Sequence, residues 1–180
     1  MIKTYDECMR EFHTDYQIKK AISEKKLYRL EPGIYSTEAQ VSMLAIIIAK
    51  YPTAIITMES AFYYQDLTDD IPDKYCIATE KHAYPLKDHR IKQYYYKEDI
   101  LPIGVTTMKR NGIEFRIYDK ERMLIELLRN KNHLPYDFYK EVLGNYRNMV
   151  NKLDIQKIQE YAESFPKHKK ILEMLEVEVF

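Results

Sequence analysis

The dipeptide Asn111-Gly112 places the tightest local constraint on this chain. Both residue types accept positive φ, and here they sit between two β-leaning runs, Gly104 to Lys109 and Ile113 to Tyr118. That setting favours a two-residue turn that sends the chain straight back antiparallel. Lys74 to Thr79 and Ile91 to Tyr96 are also rich in Tyr and Ile, so a mostly antiparallel sheet is expected in the middle of the chain. After it the period changes. Asp119 can cap a helix whose apolar positions are Met123, Leu124, Leu127 and Leu128, and further helical stripes recur over Phe138 to Leu143, Ile155 to Phe165 and Ile171 to Leu175. Strands followed by a layer of helices define an α+β chain.

The first 36 residues have a pattern of their own. Tyr5, Cys8, Met9 and Phe12 recur at the spacing of one buried helix face. His13, Thr14 and Asp15 are polar cap residues, and Ile18, Ala21 and Ile22 form a second apolar stripe. Leu27 to Leu30, the turn Glu31-Pro32-Gly33 and Ile34-Tyr35 outline a short hairpin. Two small helices and a hairpin make a minimal winged helix-turn-helix, which puts a domain at 1–36 and a larger α/β domain at 37–180. Ser36 or Thr37 is expected to cap a third helix running to about Lys50, with Pro52 ending it. Thr53 to Thr57 leans to strand, Glu59 to Gln65 to helix, and Asp69 to Asp73 to loop.

Several classes are disfavoured. The start of the chain has no basic stretch leading into an apolar run, so secretion is not indicated. Met43 to Ala49, the longest apolar stretch, is far short of the ~20 residues that cross a bilayer. Cys8 and Cys76 form neither a disulfide framework nor a metal-ligand pair and suit a reducing cytoplasm. The five histidines are dispersed, and the phosphate-loop, dinucleotide and nucleophile-elbow signatures are absent, so no cofactor, metal or catalytic residue is assigned and a non-enzyme is expected.

With 28 basic and 28 acidic residues the chain has no net charge, so any nucleic-acid surface must come from uneven distribution. Two places qualify. The outer face of the second helix offers Gln17, Lys19, Lys20 and Ser23, with Lys25, Lys26 and Arg29 following; amide and basic side chains suit base edges and phosphates. A solvated helix face bearing lysine pairs, partly offset by Asp15 and Glu24, accounts equally for the same residues. Lys81 to Lys97 holds five basic residues, including Lys87, Arg90 and Lys92, against one acid, Asp88, interleaved with Tyr and His that suit backbone contacts. Tyrosines alternating in a half-buried strand are the plainer explanation of that pattern.

Two other classes compete. Asp73 with Glu114 and Arg116 resembles the carboxylate set of a Mg²⁺-dependent nuclease, with arginine in the lysine position. Ile171, Leu172, Met174, Leu175 and Val177 form an apolar stretch with which a protein-interaction module would dock on a partner.

The order of motifs resembles the AbiEi family of antitoxins. The carriers are Leu27-Tyr28-Arg29-Leu30 through Gly33-Ile34-Tyr35, similar to that family's wing; Ser60-Ala61-Phe62 with Leu67-Thr68-Asp69 and Pro72; and Tyr118-Asp119-Lys120-Glu121-Arg122-Met123-Leu124, similar to its strand-to-helix Glu-Arg-Thr-Leu motif. Met123 stands where threonine is usual, and His13-Thr14-Asp15 where many members carry a clearer glycine turn. The resemblance covers nearly the whole chain. It implies an autorepressor that binds inverted repeats in its operator, and an antitoxin that counteracts an AbiEii-type nucleotidyltransferase toxin without a stable complex.

Overall fold

A computed structural model describes residues 1–180. Its elements are β1 (Ile2–Thr4), α1 (Tyr5–Phe12), α2 (Asp15–Ser23), β2 (Tyr28–Glu31), β3 (Ile34–Ser36), α3 (Met43–Lys50), β4 (Ile55–Ile56), α4 (Met58–Tyr64), β5 (Tyr75–Glu80), β6 (Ile91–Tyr96), β7 (Val105–Arg110), β8 (Ile113–Tyr118), α5 (Lys120–Arg129), α6 (Tyr136–Asn148), α7 (Ile155–Glu163) and α8 (His168–Glu178). The α+β class holds. Two compact units emerge: Met1–Thr53 with Arg110–Ile113, and Ala54–Lys109 with Glu114–Phe180. The first unit therefore runs past position 36, because α3 packs on β1 and β3.

In the first unit, α1 and α2 are joined by a two-residue turn and backed by a three-stranded antiparallel sheet in the order β1-β3-β2. Thr4 and Glu7 form a reciprocal capping box at the start of α1. His13 closes it in the left-handed conformation, φ 64°, with its N–H on the Met9 carbonyl. Thr14 then caps α2 by accepting from the Gln17 N–H at 3.2 Å. Cys8, Ile18, Ala21, Leu27 and Tyr35 meet in one small core, so the two helical stripes read from the sequence face each other. The left-handed position normally suits glycine, and His13 is exposed. His13→Gly is accordingly expected to raise the stability of this unit by up to ~1 kcal/mol, read as a higher melting temperature. A fall in melting temperature would mean that the imidazole makes a stabilising contact.

The structure departs from the sequence reading in two places. The three-residue strand β1 has no periodic signal and exists by pairing with β3. The third helix starts at Met43 and not after Ser36 or Thr37, because Ser42 is the residue that caps it, accepting from Ala45 N–H at 3.2 Å. Ser36 is instead buried at the end of β3, where its Oγ accepts from the Glu38 N–H.

In the second unit five strands lie in the order β6-β5-β4-β8-β7. The sheet is mixed, in place of the mostly antiparallel one that the sequence suggests. β4 pairs antiparallel with β5 but parallel with β8, and β5 pairs parallel with β6. The hairpin itself forms as the sequence indicates, with positive φ at both Asn111 (51°) and Gly112 (80°), the geometry of a type I′ turn. Behind it, α5 is the central helix. Every side chain from Arg122 to Leu128 is buried, with α4, α6, α7 and α8 packed around it.

The start of α5 is fixed by the 118–124 motif. Asp119 Oδ1 accepts from the Arg122 N–H at 2.8 Å, as a capping residue should, and the Asp119 N–H donates to the Gly104 carbonyl. The Arg122 guanidinium, fully buried, donates to Glu126 and to the carbonyls of Ile100 and Ile103. It lies against the rings of Phe165, Tyr118 and Tyr96, 4.3, 4.6 and 5.3 Å from their centroids. No helix is long and apolar enough to cross a membrane.

Candidate nucleic-acid interface

Helix α2 is amphipathic in the strict sense that its buried residues fix its outward ones. Ile18 and Ala21 are buried and Ile22 half-buried, occupying one arc of the helix. At 100° per residue, Tyr16, Gln17, Lys19, Lys20 and Ser23 fall on the opposite arc, and all five are exposed. The unit thus presents a helix side carrying an amide, two ammonium groups, a hydroxyl and a phenol. Ser23 already donates to the Lys20 carbonyl at 2.7 Å, which leaves its oxygen as an acceptor.

Tyr16 is a residue that sequence reasoning misses. It is 76% exposed on this arc. In the sequence it looks like one more aromatic beside an apolar stripe, and only its place on the outer arc separates it from the core.

Past α2 the chain turns through Lys25, left-handed at φ 56°, and the N–H groups of Lys26 and Leu27 return to the Ala21 carbonyl. This turn projects Lys25 and Lys26 beside the end of the helix, both exposed. Arg29 is exposed on β2, opposite Tyr35 in the hairpin. The hairpin closes at Pro32-Gly33, with Gly33 at φ 81°, as a type II turn demands at that position.

The local field is not uniformly positive. Glu24 lies 2.7 Å from the Lys26 ammonium and 3.9 Å from that of Lys20. The hydrogen bond from Lys26, then its charge, hold the Glu24 carboxyl below the usual carboxylate range. Lys19, Lys25 and Arg29 have no such counter-charge.

The second basic segment is less available than its charge count suggests. Arg90 forms a two-point pair with Asp88, Nε to Oδ1 at 2.8 Å and Nη2 to Oδ2 at 2.6 Å. Lys92 pairs with Glu59 at 2.7 Å and lies 5.2 Å from the Tyr94 ring centroid. Of the three residues assigned there, Lys87 alone is an exposed cation without an ion pair in the chain.

Glu59 also anchors a polar cluster, accepting from the Tyr94 hydroxyl at 3.0 Å and from the Cys76 thiol at 3.3 Å. Burial alone would raise the Glu59 carboxyl; the hydrogen bonds from Lys92, its own backbone and Cys76 outweigh it and leave it lowered. Burial, then the Glu59 charge, push the Cys76 thiol up to about 12. A thiol of that pKa with 2% exposure carries almost no thiolate at neutral pH. Cys76 should therefore resist a disulfide reagent at pH 8 in the native protein and react promptly in denaturant. Fast native labelling would mean that the cluster opens.

Asp73 lines a cleft with Glu59, Lys74 and Phe138, whereas Glu114 is exposed on β8. No group of three or more His, Cys, Asp or Glu side chains is placed to hold a metal ion. In α8, Ile171 and Leu175 are buried, Leu172 and Met174 half-buried, and Val177 is 82% exposed. Most of that apolar stretch is thus occupied in packing within the unit.

No protein-family model matches the chain, and no curated protein matches it.

Proposed function

We propose that the chain is a DNA-binding autorepressor and antitoxin, with α1, α2 and the β2–β3 hairpin acting as a winged helix-turn-helix. In this reading α2 enters the major groove. Gln17, Lys19, Lys20 and Ser23 approach base edges, Tyr16 lies among them, and Lys25, Lys26 and Arg29 meet phosphates. The observation that carries the reading is the outer arc of α2. Five polar or aromatic side chains share one exposed side of a helix whose other side is anchored in a core, and a hairpin bearing Arg29 follows within a few residues. The resemblance to AbiEi antitoxins extends it. The partner is then operator DNA with inverted repeats, residues 37–180 carry the antitoxic activity, and the toxin counteracted is a nucleotidyltransferase that forms no stable complex with the chain. Lys87 adds a phosphate contact, and Arg90 and Lys92 do so only by leaving Asp88 and Glu59.

The test is a gel-shift titration against the DNA directly upstream of the gene, with scrambled competitor. Retention of the specific complex supports the reading; no shift, or a shift that scrambled DNA abolishes, contradicts it. Glu24 gives a finer check. Its carboxylate screens Lys20 and Lys26, so Glu24→Gln should tighten DNA binding about two- to fivefold at low salt, the size of an exposed ion pair. Unchanged or weaker binding would place the phosphates away from these lysines.

A further inference from the structure

A cleft of about 610 Å³ opens between the C-terminal end of α5 and one side of α8, from Lys167 at its start to Glu178 at its end. Its walls carry four cations, Arg129, Lys131, Lys167 and Lys170, and one acid, Glu178. Its floor is apolar, made by Leu128, Ile171 and Met174. These groups are not equivalent. Glu178 is already satisfied: Lys131 donates to both its oxygens at 2.8 and 3.0 Å, and the Tyr139 hydroxyl donates at 2.7 Å. Two of the three Lys131 donors are thereby fixed, and its position with them.

Arg129 is held in a different way. Its Nη1 donates to both Glu126 oxygens at 3.1 Å, and its guanidinium carbon lies 4.5 Å from the Phe165 centroid. The Arg129 Nε and Nη2 groups remain without a protein acceptor. Glu126 is shared with Arg122, so Arg129 has no carboxylate of its own. Lys167 and Lys170 are exposed and have no carboxylate partner at all. The cleft thus combines a concave apolar floor, one stacked guanidinium with free donors and an excess of unpaired ammonium groups. Sites for small anionic ligands are built in this way, and the volume lies within their ~300–1,000 Å³ range.

We propose that this cleft binds a small phosphate-bearing ligand with an apolar or aromatic body, of the size of a mononucleotide. The phosphate meets Lys167, Lys170 and the free donors of Arg129, and the body lies over Ile171 and Met174. The site is independent of DNA binding by α2, which sits in the other compact unit.

The probes are adenosine diphosphate and inorganic pyrophosphate, titrated calorimetrically into the full chain. Both should bind saturably below about 1 mM, with the nucleotide the tighter of the two. Lys167→Glu/Lys170→Glu should weaken both by at least about tenfold with the melting temperature preserved, and Lys167→Gln/Lys170→Gln should weaken them less. Lys19→Glu/Lys20→Glu, which disables the proposed DNA face, should leave both affinities unchanged. Absence of saturable binding would overturn the proposal. So would affinities indifferent to Lys167 and Lys170, or losses equal to those from Lys19 and Lys20. Pyrophosphate binding as tightly as the nucleotide would remove the apolar floor from the site.

Discussion

Arg122→Ala is expected to destabilise the second unit by about 3–5 kcal/mol, the cost of breaking a buried ion pair from one side. The guanidinium is fully buried, and its removal has three consequences at once. Glu126, 1% exposed, loses the Nε and Nη2 donors of Arg122 and keeps only Arg129 and Asn130. The carbonyls of Ile100 and Ile103 lose the donor that they share, and three aromatic rings lose the surface they pack on. Arg122→Lys should recover only part of the loss, because an ammonium group cannot reproduce the planar fork. Urea unfolding with an unchanged slope measures the effect as a shift of the midpoint. A loss below about 1 kcal/mol would show that Arg129 can take over the Glu126 pairing. Gly104 belongs to the same construction. It has φ 74°, and a Cβ there would lie 2.5 Å from the Arg122 Cβ, so Gly104→Ala should act through the same arginine.

Lys19→Glu/Lys20→Glu is expected to reduce operator affinity by at least about a hundredfold, or roughly 2.7 kcal/mol, while leaving the fold intact. Both side chains are exposed, so their reversal removes no core contact. The structural cost is two like-charge pairs one helical turn apart, a carboxylate at position 19 after Asp15 and one at position 20 before Glu24, each worth a few tenths of a kcal/mol. Two attractive groups become repulsive at the proposed groove, which is why the binding effect is large. Equal affinity for the variant and the parent would move the DNA surface off α2, and Tyr16 with it.

The elements written by local chemistry are legible in the sequence, and those written by pairing across the chain are not. Helices α1 and α2 follow from the Cys8/Met9/Phe12 and Ile18/Ala21/Ile22 stripes, and the β7–β8 hairpin from Asn111-Gly112, since each depends on neighbours a few residues apart. β1 is invisible because three residues carry no period. The parallel pairing of β5 with β6 is hidden because nothing in either strand encodes its direction. The third helix is expected too early because Ser36, Thr37 and Ser42 are equally good caps by residue type; in the fold Ser36 is buried at the end of β3 and Thr37 Oγ1 accepts from the N-terminal amine, and Ser42 is the one that caps. On the candidate interface, periodicity assigns the exposed lysines of α2 without help. It does not reveal that Arg90 is committed to Asp88, or Lys92 to a glutamate 33 residues away, and so it overstates the free charge of that segment.

In the proposed complex α2 and its hairpin bind DNA, and four phosphate contacts are made, by Lys25, Lys26, Arg29 and Lys87. Operator affinity measured across a salt series tests it most directly. The expected result is that the logarithm of the binding constant falls linearly with the logarithm of salt concentration, with a slope of about −3.6 per bound protomer, and that the preference for operator over scrambled DNA persists along the series. A slope near zero, or no binding at the lowest salt, would contradict it.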